Sequence, residues 1–181
     1  MFSLNVPVPP AIPRLARDLH PKLTGFDRVR DRHTLVCKRF GVNDVSGDGD
    51  ETDAPPRTVA LDRLRERLRR PLARTSPFDV AATGIGVFDS PAAGSGPVVY
   101  LAIESDGLVR LHRRLCAAFG AVEGIEGDDY VPHVTLARGG NPEAGVVADL
   151  VAGEVDPVRW RVHALDVWDP AAREVAATVE V

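Results

Sequence analysis

The order of secondary-structure signals along these 181 residues repeats itself, and that repetition constrains the fold more than any single motif. Residues 2–8 alternate apolar and polar side chains, the period of a half-buried strand. Ile12, Leu15 and Leu19 then fall at helical spacing, after Pro9, Pro10 and Pro13 and before Pro21. HTLVCKRF, 33–40, reads as a second strand. Asp, Gly and Pro dominate 43–56, which carries no apolar period and reads as an acidic loop. Leu61, Leu64 and Leu68 mark the next helix. Residues 78–88 and 97–104 read as strands, 106–119 as a helix stopped by Gly120, and 130–137 as a further strand. Asn141 as N-cap, with Pro142 and Glu143 behind it, predicts a helix ending at Gly153. Two alternating strands close the chain, with Val158, Trp160, Val162 and Ala164 as one stripe. The order is β-α-β-α-β, then β-α-β-α-β-β. Such a duplication predicts an α+β, bilobal, pseudo-twofold fold: two antiparallel-rich sheets lining a central groove, with helices outside. One bilobal domain over 1–181 is expected, lobe 1 about 1–88 and lobe 2 about 97–181, with strand exchange between lobes allowed.

Composition narrows the function. A net charge of -4 argues against a broad basic surface for duplex nucleic acid, while leaving room for a pocket that takes one phosphate. No window approaches 18 uninterrupted apolar residues, and the first ten lack a basic n-region and a long apolar h-region. A cytoplasmic monomer with no membrane partner is the expectation. Cys37 and Cys116 sit among apolar residues outside any CxxC and read as buried free thiols. No HExxH, paired CxxC or EF-hand spacing occurs, so no metal and no cofactor are expected. The run Arg63, Arg65, Arg67, Arg69, Arg70 reads as the solvated face of a helix rather than a nucleic-acid track. His20, His112 and His163 read as structural, Trp160 and Trp168 as packing, and Tyr130 stands close enough to His133 to flank a groove.

The duplication places His33 and His133 on equivalent strands. In HVTL, His133 and Thr135 are two residues apart, so on a strand they project from one face. An imidazole titrates near neutrality and exchanges protons, and a threonine hydroxyl donates to a phosphoryl oxygen. Two such strands facing each other would set two imidazoles around one phosphorus, one activating water and the other protonating the departing oxygen, with no metal required.

PHVTLAR at 132–138, HTLVCKR at 33–39 and the intervening FDVAATGIGVFDSPAAGSGPVVYLAIES carry a resemblance to the 2H phosphoesterase superfamily, which includes the 2'-5' RNA ligase (RNA 2',3'-cyclic phosphodiesterase) proteins. The resemblance covers nearly the whole chain. It implies a hydrolase that opens 2',3'-cyclic phosphates of RNA ends or small cyclic nucleotides, with His33 and His133 as general base and acid. It also implies that Thr135 and Arg138 bind the phosphate, with Lys38 and Thr34 as their first-lobe counterparts. The first motif departs from His-x-Thr, since Leu35 follows His33 at +2. A second register sets Thr34 on the family threonine and Arg32 on its histidine. Matching Lys38 to Arg138 favours the His33 register. A non-catalytic RNA- or nucleotide-binding domain and a 2'-5' RNA ligase are the alternatives.

Overall fold

Local periodicity forms the elements, and pairing decides their places. The computed structural model describes residues 2–41, 44–45 and 55–181, so most of the expected acidic loop lies outside the described residues. Among the described residues the chain runs β1 (Phe2–Val6), α1 (Ala11–Leu19), β2 (Arg28–Val29), β3 (Leu35–Phe40), α2 (Arg57–Leu72), β4 (Phe78–Phe88), β5 (Val98–Glu104), α3 (Asp106–Phe119), β6 (His133–Arg138), α4 (Ala144–Ala152), β7 (Val158–Val162), β8 (Ala164–Asp169) and β9 (Glu174–Glu180). Among these residues no helix is long and apolar enough to cross a membrane.

α3 forms where its signals predict. The Ser105 hydroxyl accepts from Leu108 N–H at 3.2 Å, Asp106 favours the first turn, and Gly120 leaves the helix at φ +81°. Its Leu108, Leu111 and Leu115 are buried. In α2, Arg65 and Arg69 lie 3.9 and 3.1 Å from Asp62 and Glu66 three residues back, as on a solvated face. α4 starts later than its cap residues predict. Asn141 N–H is held by Gly25 O at 3.1 Å, and the extended Glu143 precedes Ala144.

All strand pairs among the described residues are antiparallel, in one nine-stranded sheet of order β7-β4-β5-β6-β3-β1-β8-β9, with β2 pairing on β6. The expected two sheets are thus two four-stranded wings of a single sheet. They meet where β3 joins β6 through the register pair Leu35↔Val134, both fully buried. The closing stretch also differs from expectation. Its stripe breaks at His163, so β7 pairs with β4 while β8 pairs with β1, far along the strand order. One residue cannot span a flat sheet, so the sheet curls. Pairing therefore crosses between 1–88 and 97–181 in both wings.

One face of this sheet carries Leu4, Val6, Leu35, Cys37, Val99, Leu101 and Val134 into a single core shared with buried residues of all four helices. The other face, here called the open face, carries the alternate residues.

Candidate functional site

The joint between the wings organises the site. Leu35 and Val134 point into the core, so strand alternation turns their neighbours Thr34, Val36, His133 and Thr135 to the open face. Antiparallel register sets Thr34 toward Thr135 and Val36 toward His133. A bulge follows on each strand. On β3, Asn5↔Val36 and Leu4↔Lys38 leave Cys37 as the extra residue. On β6, Tyr100↔Thr135 and Val99↔Ala137 leave Leu136 as the extra residue. Each bulge residue stands two positions after its joint residue. Thr34 therefore corresponds to His133, Val36 to Thr135, and Arg39 to Arg138.

This correspondence differs from both registers read from the sequence. His33 lies just before β3 and on the core side, lining a cavity of about 220 Å³ with Ala16, Arg17, His20 and Leu136. Its Nδ1 is buried without a partner, and burial lowers its pKa against the opposing pull of Asp31. His133 keeps different company: Phe88, Tyr100, the Val131 carbonyl and the charge of Arg39. The two imidazoles share none of these neighbours. Arg32, the alternative histidine equivalent, stacks its guanidinium 3.3 Å over Trp168.

His133 is held in one tautomer. Its Nδ1 lies 2.7 Å from Val131 O, and a carbonyl only accepts, so Nδ1 carries the proton and Nε2 keeps its lone pair. Desolvation lowers the His133 pKa, and Arg39 lowers it further, against the Val131 hydrogen bond. The neutral, basic form therefore prevails at neutral pH. The Phe88 and Tyr100 rings lie 5.2 and 5.3 Å from the imidazole and stack on each other at 4.3 Å. Gly86 permits this, because a Cβ there would come within 2.5 Å of the Tyr100 ring. Beside His133 on β5 is Ala102, itself paired with Gly84, whose added Cβ would meet open space.

Arg138 leaves the end of β6 and donates from Nη2 to Ala93 O at 2.6 Å and from Nε to Ser95 O at 3.2 Å. Gly94, at φ +77°, lies against that guanidinium, and a Cβ there would approach it to 2.5 Å. Lys38 is not available to a phosphate on the open face. The β3 bulge turns it inward, where it is 1% exposed and donates to Glu126 Oε2 at 2.7 Å and to Arg39 O at 2.5 Å. Glu126 also accepts from Arg39 N–H at 2.8 Å and Val122 N–H at 3.0 Å.

The same loop stitches the β3 edge where β6 diverges from it. Tyr130 Oη donates to Val36 O at 2.8 Å and its ring stacks 3.7 Å from that of His112. His112 Nδ1–H donates to Cys37 O at 2.7 Å, and its Nε2 accepts from Gly127 N–H at 2.9 Å. Burial raises the pKa values of Tyr130, Cys37 and Cys116, which keeps the phenol and both free thiols protonated and unreactive. Among the described residues no group of three or more His, Cys, Asp or Glu could hold a metal ion.

The family model of the 2'-5' RNA ligase superfamily matches residues 47–174, more than half of the chain. The chain belongs to the 2'-5' RNA ligase superfamily. Its fold is similar to that in the crystal structure of TT0787 of Thermus thermophilus, with a TM-score of 0.61 over 99% of this chain and 96% of that one. The two are 22% identical, a likeness of fold. No curated protein matches the chain.

Within this 2'-5' RNA ligase superfamily member, sequence reading singled out His133, Thr135 and Arg138 on β6 and did not single out Arg39 on β3. Arg39 pairs across β1 with Ser3, which in turn pairs with Trp168, and its charge reaches His133. The signal that could have found it is its place four residues after an apolar strand residue, as Arg138 is after Val134. Using that signal needs the position of the joint.

Proposed function

We propose that this chain is a metal-independent phosphoesterase that opens the 2',3'-cyclic phosphate of an RNA end or of a small nucleotide. The observation that supports it is the tautomer of His133, whose Nε2 keeps its lone pair on the strand face that also carries Thr135. In the reaction a water oxygen bonds to phosphorus, one ring P–O bond breaks, and a phosphomonoester results. His133 Nε2 takes the proton from water. The Thr135 and Thr34 hydroxyls and the N–H groups of Arg138 not committed to Ala93 and Ser95 hold the phosphoryl oxygens. Attack and departure take opposite sides of the phosphorus, so one imidazole serves only one of them. Thr34 stands where a second imidazole would, so the departing oxygen takes its proton from solvent, and turnover is slow.

A second reading, nucleotide binding without turnover, is favoured by the same Thr34 and Val36 at the joint. Ligation is the reverse esterification at the same site. The test is incubation with 2',3'-cyclic nucleotides and cyclic-phosphate-ended RNA in EDTA, with product identification. The expected result is a phosphomonoester whose formation His133→Ala abolishes. Saturable binding with no product would replace the lead reading by the second.

A further inference from the structure

Arg32, Arg39 and Arg138 stand near the joint on the open face, with Arg28 opposite Arg138 farther along β6, and Arg32 and Arg138 are engaged. Arg32 lies on Trp168, and Arg138 donates to two loop carbonyls. Among the described residues the Arg39 guanidinium has no hydrogen bond or ion pair. Its main chain is nonetheless held on the side away from β1. Glu126 takes its N–H at 2.8 Å and Lys38 Nζ donates to its C=O at 2.5 Å, and the ion pair between those two side chains is almost fully buried. A strand edge that lacks a strand partner is here paired by a lysine and a carboxylate. A cation held by its backbone, with an uncommitted head on the open face, is built to meet an anion.

We propose that Arg39 is a further catalytic residue that contacts the phosphoryl group, supplying from the first wing the charge that its Thr34–Val36 pair lacks, with Glu126 as its positioning residue. The inference rests on the phosphoesterase reading for its substrate and deepens it. Attack at phosphorus builds negative charge on the phosphoryl oxygens, and the Arg39 guanidinium donates two N–H groups to them without exchanging a proton. The Arg39 charge already acts on His133. The register that pairs Arg39 with Ser3, next to the inward Leu4 and Lys38, turns its side chain to the open face.

The test uses the full chain with Arg39→Gln, Arg39→Lys, Glu126→Gln and the Arg39→Gln/Glu126→Gln double variant. Three readouts apply: kcat/KM on a 2',3'-cyclic nucleotide, inorganic phosphate affinity from the His133 ring resonances, and the His133 pKa from the same resonances. Arg39→Gln should lower kcat/KM about 10²-fold, the effect of losing one preorganised donor, and weaken phosphate binding. It should also raise the His133 pKa by removing a neighbouring cation. Arg39→Lys should recover part of each. Glu126→Gln should lower kcat/KM in the parent and have little further effect once Arg39 is Gln. Unchanged turnover and phosphate affinity in Arg39→Gln would overturn the proposal. A Glu126→Gln effect undiminished in the double variant would overturn the positioning role. If the parent binds phosphate through Arg39 yet opens no cyclic nucleotide, the phosphoesterase reading and the catalytic role fail together, and the phosphoryl contact of Arg39 stands as binding alone.

Discussion

Rebuilding the first wing's half of the site tests the joint directly. Thr34→His with Val36→Thr should give β3 the pair that His133 and Thr135 form on β6. Thr34 and Val36 are half-buried on the open face, so neither change opens a core cavity, and the stability cost should stay within about 1 kcal/mol. The gain is kinetic. A positioned general acid contributes about 10²–10⁴-fold, and a hydroxyl donor about 10²–10³-fold. Acting on one phosphorus they are not additive, so the double variant should gain about 10²–10⁴-fold in kcat/KM. Leu35→Thr, which the sequence alone would have chosen, should behave otherwise. Leu35 is 0% exposed at the pair that joins β3 to β6. Threonine there removes apolar volume and buries a hydroxyl, together about 3–5 kcal/mol, a large share of a typical domain's stability, with no gain in rate. The assay is turnover of a 2',3'-cyclic nucleotide in EDTA beside urea unfolding of each variant. The reasoning is refuted if Leu35→Thr raises turnover at parental stability, or if His33→Ala abolishes turnover while the double variant changes nothing.

The remaining expectations concern His133, Thr135 and the buried pair. Because the His133 pKa is held below 6.5 by desolvation, its base form persists as pH falls through 6.5, and kcat/KM should decline only at lower pH; an acid limb centred above 6.5 would contradict this. Thr135→Ala should lower kcat/KM about 10²–10³-fold, approaching the loss in His133→Ala, measured on the same nucleotide. Glu126→Leu should destabilise by about 3–5 kcal/mol in urea unfolding, since it strands the Lys38 charge and two backbone N–H groups. Lys38→Met should cost less, because the carboxylate keeps both N–H donors, and equal losses would contradict the assignment of those bonds.

Much of this molecule was legible one segment at a time. The limits of α3 follow from Ser105 and Gly120, and the strand–helix order from hydrophobic periods, because those signals act within a few residues. His133 and Thr135 share a face for the same reason, since alternation along a strand is local. The break at His163, which sends β7 and β8 to different wings, depends on which main chains lie ready to pair and leaves no mark in a continuous apolar stripe. The facing of the first motif was undetermined on the same ground. The residues 33–40 alternate equally well with His33 on either face, and it is the pairing of Leu35 with Val134 that turns His33 toward α1 and Thr34 to the open face. The bulge at Cys37 then resets the alternation against β1, burying Lys38 and turning Arg39 outward. Residue types determined what chemistry this strand could offer; which of its side chains offers it was decided by a neighbouring strand, because a bulge belongs to a pair of chains and not to one.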